Sequence, residues 1–382
     1  MSQLFDRLQI SGYRALQLVN LSQLGQVNIF VGDNNAGKTS ILEAISILCN
    51  PLDPFQWLEV SQRRLYFGRS QLISLRPNIE ALKWIFSQKI GASNDEIYQA
   101  EILIEANGIT PIHKLKAKLG EIYGSGVEKN NQKSFDKDIS SPEEEVSSPE
   151  IDSVRSGLEL EIAVNRTSAQ LNLFPPEAER EIFQFWENER FVQRRRNKPI
   201  VKNATIFPSY SSSEPLGERL SRIILQEDGK NKVVELLRSF DDNILDIHIL
   251  TPTPTPTIYI EHKELGFAPL YVFGDGFKRT LIIALTVLTT DNGVLLVDEI
   301  ETSIHVSALG SVFSWLIETC RRREIQLFVT THSLEAIDAM LQPEIATDNV
   351  VAFRLNHNGQ APQRFSGNLL HRLRSERGLD VR

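Results

Sequence analysis

Gly32, Asp33, Asn34, Asn35, Ala36, Gly37, Lys38, Thr39 and Ser40 place a lysine and a hydroxyl directly behind a short loop bounded by two glycines. Such a set suits a run of phosphates. Glycines at 32 and 37 let the backbone fold tightly enough to turn several amide hydrogens inward, where they face an anion. Lys38 would then neutralise the β- and γ-phosphates, and the Thr39 hydroxyl would ligate magnesium. A Gly/Asn turn with a chance match is the bland alternative, and the flanking strand and helix patterns argue against it. Far downstream, an apolar run over 293–297 ends in Asp298 and Glu299. Hydrolysis of a phosphoanhydride needs one acid on the metal and another beyond the γ-phosphate to polarise the attacking water. Asp298 suits the first task and Glu299 the second, although the pair alone reads equally as caps for the next helix. His332 follows a third apolar run, 326–331, where it could sense the γ-phosphate; a lone histidine is more often structural.

These side chains need elements to carry them. The run Val27-Asn28-Ile29-Phe30-Val31 predicts a buried strand, and 40–48 has the apolar spacing of a helix, so strand, loop and helix come in the order a phosphate loop requires. The positive end of that helix would add to the anion hole. Strand 293–297 would deliver both acids to the carboxyl edge of the same sheet. Strand 326–331 and a helix over 334–341 complete this half.

Between the two halves the pattern changes. Residues 98–106 and 158–164 alternate polar and apolar, as half-buried antiparallel strands do, and 4–10 is also strand-like. Residues 177–192 predict a helix with Ile182, Phe183, Phe185, Trp186 and Phe191 on its apolar face. The segment 125–156, rich in Ser, Glu, Asp, Lys and Asn, predicts a disordered acidic surface loop. The Thr-Pro alternation at 251–257 predicts an extended connector or edge strand. Three stretches follow: 1–50 with the phosphate loop, an α+β insertion over 51–204, and a return to α/β alternation over 205–382.

The chain has 382 residues and a net charge of −8, so no global nucleic-acid signature is present. A local basic cluster, Arg190, Arg194, Arg195, Arg196, Lys198 and Lys202 with Phe191 beside it, could neutralise phosphates or simply be a solvated turn. Cys49 and Cys320 read as reduced core residues. With no basic and then apolar leader and no bilayer-length apolar stretch, the expectation is a cytoplasmic protein with no membrane partner.

The order of phosphate loop, long insertion, the segment Phe273-Gly274-Asp275-Gly276-Phe277-Lys278-Arg279, Asp298-Glu299-Ile300-Glu301 and Thr331-His332-Ser333 resembles the ABC-type ATPases of the RecF/SMC/OLD class. Within that class the chain is similar to OLD-like and RecF-like bacterial ATPases. The resemblance covers 1–50 and roughly 265–355. It implies an α/β fold, a P-loop ABC-type ATPase head with a mixed sheet, with ATP and Mg2+ as cofactors. It also implies a head-to-tail homodimer in which Gly274, Asp275 and Gly276 of one copy meet the nucleotide held by the other. Arg14, in Ile10-Ser11-Gly12-Tyr13-Arg14, matches an aromatic-Arg pair that lies near the nucleotide in the class. Two departures stand out. Asp275 occupies the signature where an acid would repel phosphate unless Lys278, Arg279 or another cation offsets it, and the loop after the acids lacks the Ala-Leu-Asp of transporters.

The insertion and the altered signature disfavour a transporter ATPase, and the lack of an Asn-Lys-x-Asp motif disfavours a GTPase. Two readings remain: an ATP-driven switch that acts directly on DNA in repair, or the ATPase of a toxin or anti-phage system with a separately encoded nuclease or effector. Many relatives in the OLD class carry a Toprim nuclease; with the chain ending at Arg382 shortly after the last ATPase strands, the expectation is that any nuclease comes from a partner.

Overall fold

The longest apolar runs of the chain end up in the middle of one sheet. The computed structural model describes residues 3–64, 77–88, 98–126, 153–166, 178–187, 189–191, 197–208, 215–252, 256–342, 349–356 and 360–382. A hairpin of β1 (Arg7–Tyr13) and β2 (Leu16–Ser22) precedes β3 (Val27–Gly32), which leads through the glycine-bounded loop into α1 (Lys38–Cys49). Helices α2 (Pro54–Gln62) and α3 (Ile79–Lys83) follow, then strands β4 (Gln99–Asn107), β5 (Ile112–Gly126), β6 (Ser153–Arg166) and β7 (Glu179–Trp186). After β8 (Lys202–Ile206) come α4 (Leu216–Ile224), α5 (Gly229–Arg238) and a meander of β9 (Ile244–Leu250), β10 (Thr257–His262) and β11 (Gly266–Pro269). A 3-10 turn, Leu270–Val272, opens into α6 (Asp275–Leu288), followed by β12 (Gly293–Val297), α7 (Val306–Arg322), β13 (Ile325–Thr330) and α8 (Leu334–Met340). The chain closes with β14 (Val350–Leu355), β15 (Gln363–Ser366) and α9 (Gly367–Ser375).

The central sheet has the order β15-β14-β3-β13-β12-β8; all neighbours are parallel except the β14–β15 pair at one edge, so the sheet is mixed. Parallel strands covered on both faces read as unbroken apolar runs, and every residue of β3, β12 and β13 is buried. Side chains alternate between two cores. Phe30, Val294, Leu296 and Phe328 face one, with α1 and the outer sheet; Ile29, Leu295, Val297, Leu327 and Val329 face the other, with α5 to α8 and the meander. Because α1 lies between two sheets, every residue in it except Thr39 is buried.

The outer sheet has the order β2-β1-β4-β5-β6-β7. Strands from 51–204 therefore extend the amino-terminal hairpin, with Leu8 opposite Ala106 and Ile10 opposite Ile104. The strands expected at 98–106 and 158–164 are present as β4 and β6. The helix expected over 177–192 is not: 179–186 is the strand β7, with Leu160 opposite Phe183 and Leu158 opposite Phe185. Its aromatic content suggested an apolar face, but burial follows a period of two. Phe183 and Phe185 point inward, while Gln184 between them is exposed and Ile182, just before them, is 59% exposed.

The expected disordered loop at 125–156 is shorter than its composition suggested. Gly126 pairs with Ser153 and Ser125 with Val154, so β5 and β6 run into both of its ends. The remainder, 127–152, lies outside the described residues, as do 253–255 of the Thr-Pro run. Cys49 and Cys320 are buried and free. Among the described residues no helix is long and apolar enough to cross a membrane.

The strand assignment of 179–186 has a direct test by thermal unfolding. Phe185→Ala should cost about 3–5 kcal/mol, as loss of a buried aromatic does, whereas Ile182→Ala should stay within about 0.5 kcal/mol. Comparable costs at both positions would contradict the period-two burial.

Candidate nucleotide site

The loop after β3 is shaped by its glycines. Gly37 caps α1 with φ +93, and a Cβ there would lie 2.5 Å from Leu16 Cδ2; Gly32 has φ +134, and its Cβ would lie 2.4 Å from the Leu355 carbonyl oxygen. The backbone angle disfavours a side chain at either end of the loop, and at Gly32 the Leu355 backbone also leaves no space for one. Asn35, φ +63, supplies the left-handed turn between them. Lys38 is buried, and its ammonium donates to the carbonyls of Gly32 at 2.8 Å and Asp33 at 2.7 Å, closing the loop on itself. Burial pulls the Lys38 pKa down, while Asp298, Asp33, Glu299 and Glu301 work against that shift.

The two distant halves meet at Thr39. Its hydroxyl lies 3.1 Å from each carboxylate oxygen of Asp298. Asp298 is buried at the tip of β12, and it also accepts from the Thr330 hydroxyl at 2.6 Å at the tip of β13. Burial pushes its carboxyl up; the Thr330 and Thr39 bonds oppose this, and Glu299 and Glu43 add to it. Glu299 follows with φ +45, a left-handed conformation uncommon outside glycine. Its backbone N–H donates to Thr330 Oγ1 at 2.8 Å, and its Oε2 accepts from Thr302 Oγ1 at 3.1 Å.

His332 stands directly beyond β13, half-buried, and its N–H donates to Glu301 Oε1 at 2.8 Å. The glycine-rich segment forms the start of α6, which begins at Asp275. Gly274 is its N-cap and has open space around it, whereas a Cβ on Gly276 would lie 2.4 Å from the Ser303 carbonyl oxygen. Of the cations expected to offset Asp275, the half-buried Lys278 does so, at 3.2 Å. Arg279 turns inward, fully buried, and donates to the Asp298 carbonyl at 3.0 Å and to the Phe207 carbonyl.

Arg14 reaches α1 but not Lys38 or Asp298. Its Nε donates to Glu43 Oε2 at 2.7 Å and its Nη2 to the Val60 carbonyl at 3.3 Å. Glu43 is fully buried and also accepts from Tyr13 at 3.3 Å and Arg64 at 3.0 Å, while Arg64 reaches the Ser40 hydroxyl at 3.3 Å. Sequence reasoning missed Glu43, Thr330 and the inward role of Arg279. A glutamate one helical turn beyond Thr39 in an otherwise apolar helix, and an arginine in the apolar face of α6, were the available signals.

A phosphate loop entering a central helix, with an acid pair at the tip of a nearby parallel strand, is the arrangement of a P-loop ATPase, a class that binds ATP and usually magnesium. The chain belongs to the family described as "AAA domain, putative AbiEii toxin, Type IV TA system", whose model matches residues 27–338. It is 21% identical over 365 residues to an ATP/GTP phosphatase of Helicobacter pylori, covering 89% of this chain and 88% of that protein. Over 69 residues it is 44% identical to the uncharacterized protein MJECL11 of Methanocaldococcus jannaschii, covering 18% of this chain and 60% of that one. A 43-residue stretch is 52% identical to the DNA replication and repair protein RecF of Stutzerimonas stutzeri, 11% of this chain and 12% of RecF. Among solved structures, the Smc head domain of Pyrococcus furiosus with an extended coiled coil, bound to the C-terminal domain of ScpA, aligns with a TM-score of 0.46 and 11% identity over 98% of this chain and 99% of that one.

The raised Asp298 pKa makes a stability prediction. The folded state holds this proton more tightly than the unfolded chain does, so stability falls as pH rises from the ordinary value of 3.8 through the folded value. Asp298→Asn should therefore raise the melting temperature of the nucleotide- and magnesium-free protein at pH 7. A lower melting temperature than wild type would show that the carboxylate is stabilised, not strained, by its surroundings.

Proposed function

We propose that the protein hydrolyses MgATP through Lys38, Thr39, Asp298 and Glu299, with His332 sensing the γ-phosphate. The observation that carries this reading is the placement of the Thr39 hydroxyl 3.1 Å from both oxygens of Asp298. A hydroxyl and a carboxylate are hard oxygen donors of the kind magnesium selects. The glycine-bounded loop, with no room for a Cβ at Gly32, fits a backbone cradle for phosphate. Magnesium bound there would neutralise charge on the phosphate oxygens. Lys38 exchanges its carbonyl partners for the β- and γ-phosphates, and Asp33, Asn34, Asn35, Ala36, Gly37 and Ser40 complete the cradle. Glu299 polarises the water that attacks the γ-phosphorus; the bond to the bridging oxygen breaks, leaving ADP and phosphate.

Two nucleotides would sit between two copies, with Gly274, Asp275 and Gly276 of one copy facing the loop of the other. The open space at Gly274 and the exposure of Asp275 suit such an approach. Arg14, held by Glu43, acts on α1 in this reading and not on the nucleotide directly. ATP closes the dimer and hydrolysis reopens it. We place this cycle in an anti-phage or toxin–antitoxin process with a separately encoded nuclease or effector, in line with the description of the family. A second reading, direct DNA binding in repair, draws on the short RecF match and on the exposed Arg190, Lys198 and Lys202; Arg194, Arg195 and Arg196 lie outside the described residues.

Glu299→Gln should lower the hydrolysis rate by about 100-fold or more while leaving ATP affinity within a few-fold, and ATP should then trap a dimer on size exclusion with light scattering. Unchanged turnover would remove Glu299 from its role, and a strictly monomeric ATP-bound variant would remove the composite site. Purification from the native host separates the two biological readings: a co-purifying nuclease supports the first, and bound DNA without one supports the second.

A further inference from the structure

On the outward face of the meander, three metal-ligating side chains from two strands converge. Asp246 and His248 lie two apart on β9 and so share a face. Glu261 on β10 is paired directly opposite Asp246. Two carboxylates directly opposed across a strand pair repel, and the Lys230 ammonium on Asp246 offsets part of that repulsion. His248 Nε2 lies 2.9 Å from Glu261 Oε2 and 3.4 Å from Asp246 Oδ2. For donors bound at about 2.0–2.1 Å, the edge of a tetrahedron is about 3.3 Å, which these separations match. All three ligand atoms lie within 4.8 Å of one another, and all three residues are half-buried.

We propose that Asp246, His248 and Glu261 bind one borderline divalent cation of the zinc class. The platform is already rigid, because the opposite face of the same strands packs Ile247, Ile258 and Ile260 into the core. Phe267 on β11 stands edge-on to the His248 ring at 5.2 Å, which limits its rotation. Lys230 of α5 ion-pairs with Asp246 Oδ2 at 2.6 Å and is the competitor a metal displaces. The imidazole nitrogen selects a borderline cation over magnesium, whose preferred partners are oxygens. Bound metal would tie β9 to β10, the strand that hands the chain on through β11 and Leu270–Val272 to Gly274.

The test is calorimetric titration of chelator-treated, nucleotide-free full-length protein with ZnCl2. Wild type should bind one zinc ion per chain, and millimolar MgCl2 should not compete. His248→Ala and Glu261→Gln should each weaken binding at least about tenfold, and Lys230→Met should strengthen it severalfold by removing the competing ammonium. Lys38→Ala, which alters the phosphate loop, should bind zinc as wild type does. His248→Gln, followed by circular dichroism, replaces His248→Ala if that variant does not fold. The proposal is overturned if wild type binds no zinc, if loss of the imidazole leaves affinity unchanged, or if Lys230→Met binds more weakly.

Discussion

A buried carboxylate at the end of a central strand is the constraint on which this structure turns. Leaving an ionised acid in a protein interior costs several kcal/mol unless it is paired and hydrogen-bonded. Asp298 meets that demand with hydroxyls from two separate elements, Thr39 on α1 and Thr330 on β13. All three can meet only if the tips of β3, β13 and β12 are level, as the register does by setting Val297 opposite Val329 and Thr330 opposite Phe30. A slip of one residue would turn every side chain of a strand to the other face. The two cores prevent it, since each alternate residue of β12 and β13 is committed to a different set of partners. Packing far from the loop therefore sets the geometry at the loop.

The same site explains which parts of the chain could be read from its residues. Lys38, Thr39, Asp298 and Glu299 were legible because the chemistry demands particular side chains at the ends of short apolar runs, and that local pattern survives in one dimension. Glu43 was not, because its partners lie 29 residues upstream at Arg14 and 21 downstream at Arg64. The helix expected over 177–192 failed for a different reason. Counting aromatic residues without fixing their period cannot tell a helical stripe from the inward face of a strand, and Phe183 and Phe185 follow the second. Nor could the alternating pattern at 98–106 say which strand it would pair with. Its partners are β5, next in the chain, and β1, which lies far upstream in the amino-terminal hairpin.

Arg279 is the case in which local reasoning pointed to the right residue and missed its inward contacts. Its position within one turn of Asp275 suggested neutralisation of that acid, an ion pair that Lys278 makes. Arg279 faces the other side of α6, where its guanidinium binds the backbone carbonyls of Asp298 and Phe207. A fully buried cation is expensive, and carbonyl oxygens at the carboxyl ends of β12 and β8 offer the partial negative charge that offsets part of that cost. Three residues earlier, Gly276 lets the same helix press against the Ser303 carbonyl, on the loop that begins with Glu299 in its left-handed turn. The exposed end of α6 at Gly274 is thus joined to the backbone of both acids through contacts one helical turn apart. Arg279 therefore ties α6 to the carbonyl of Asp298, and the side chain of that same residue is the one that Thr39 holds.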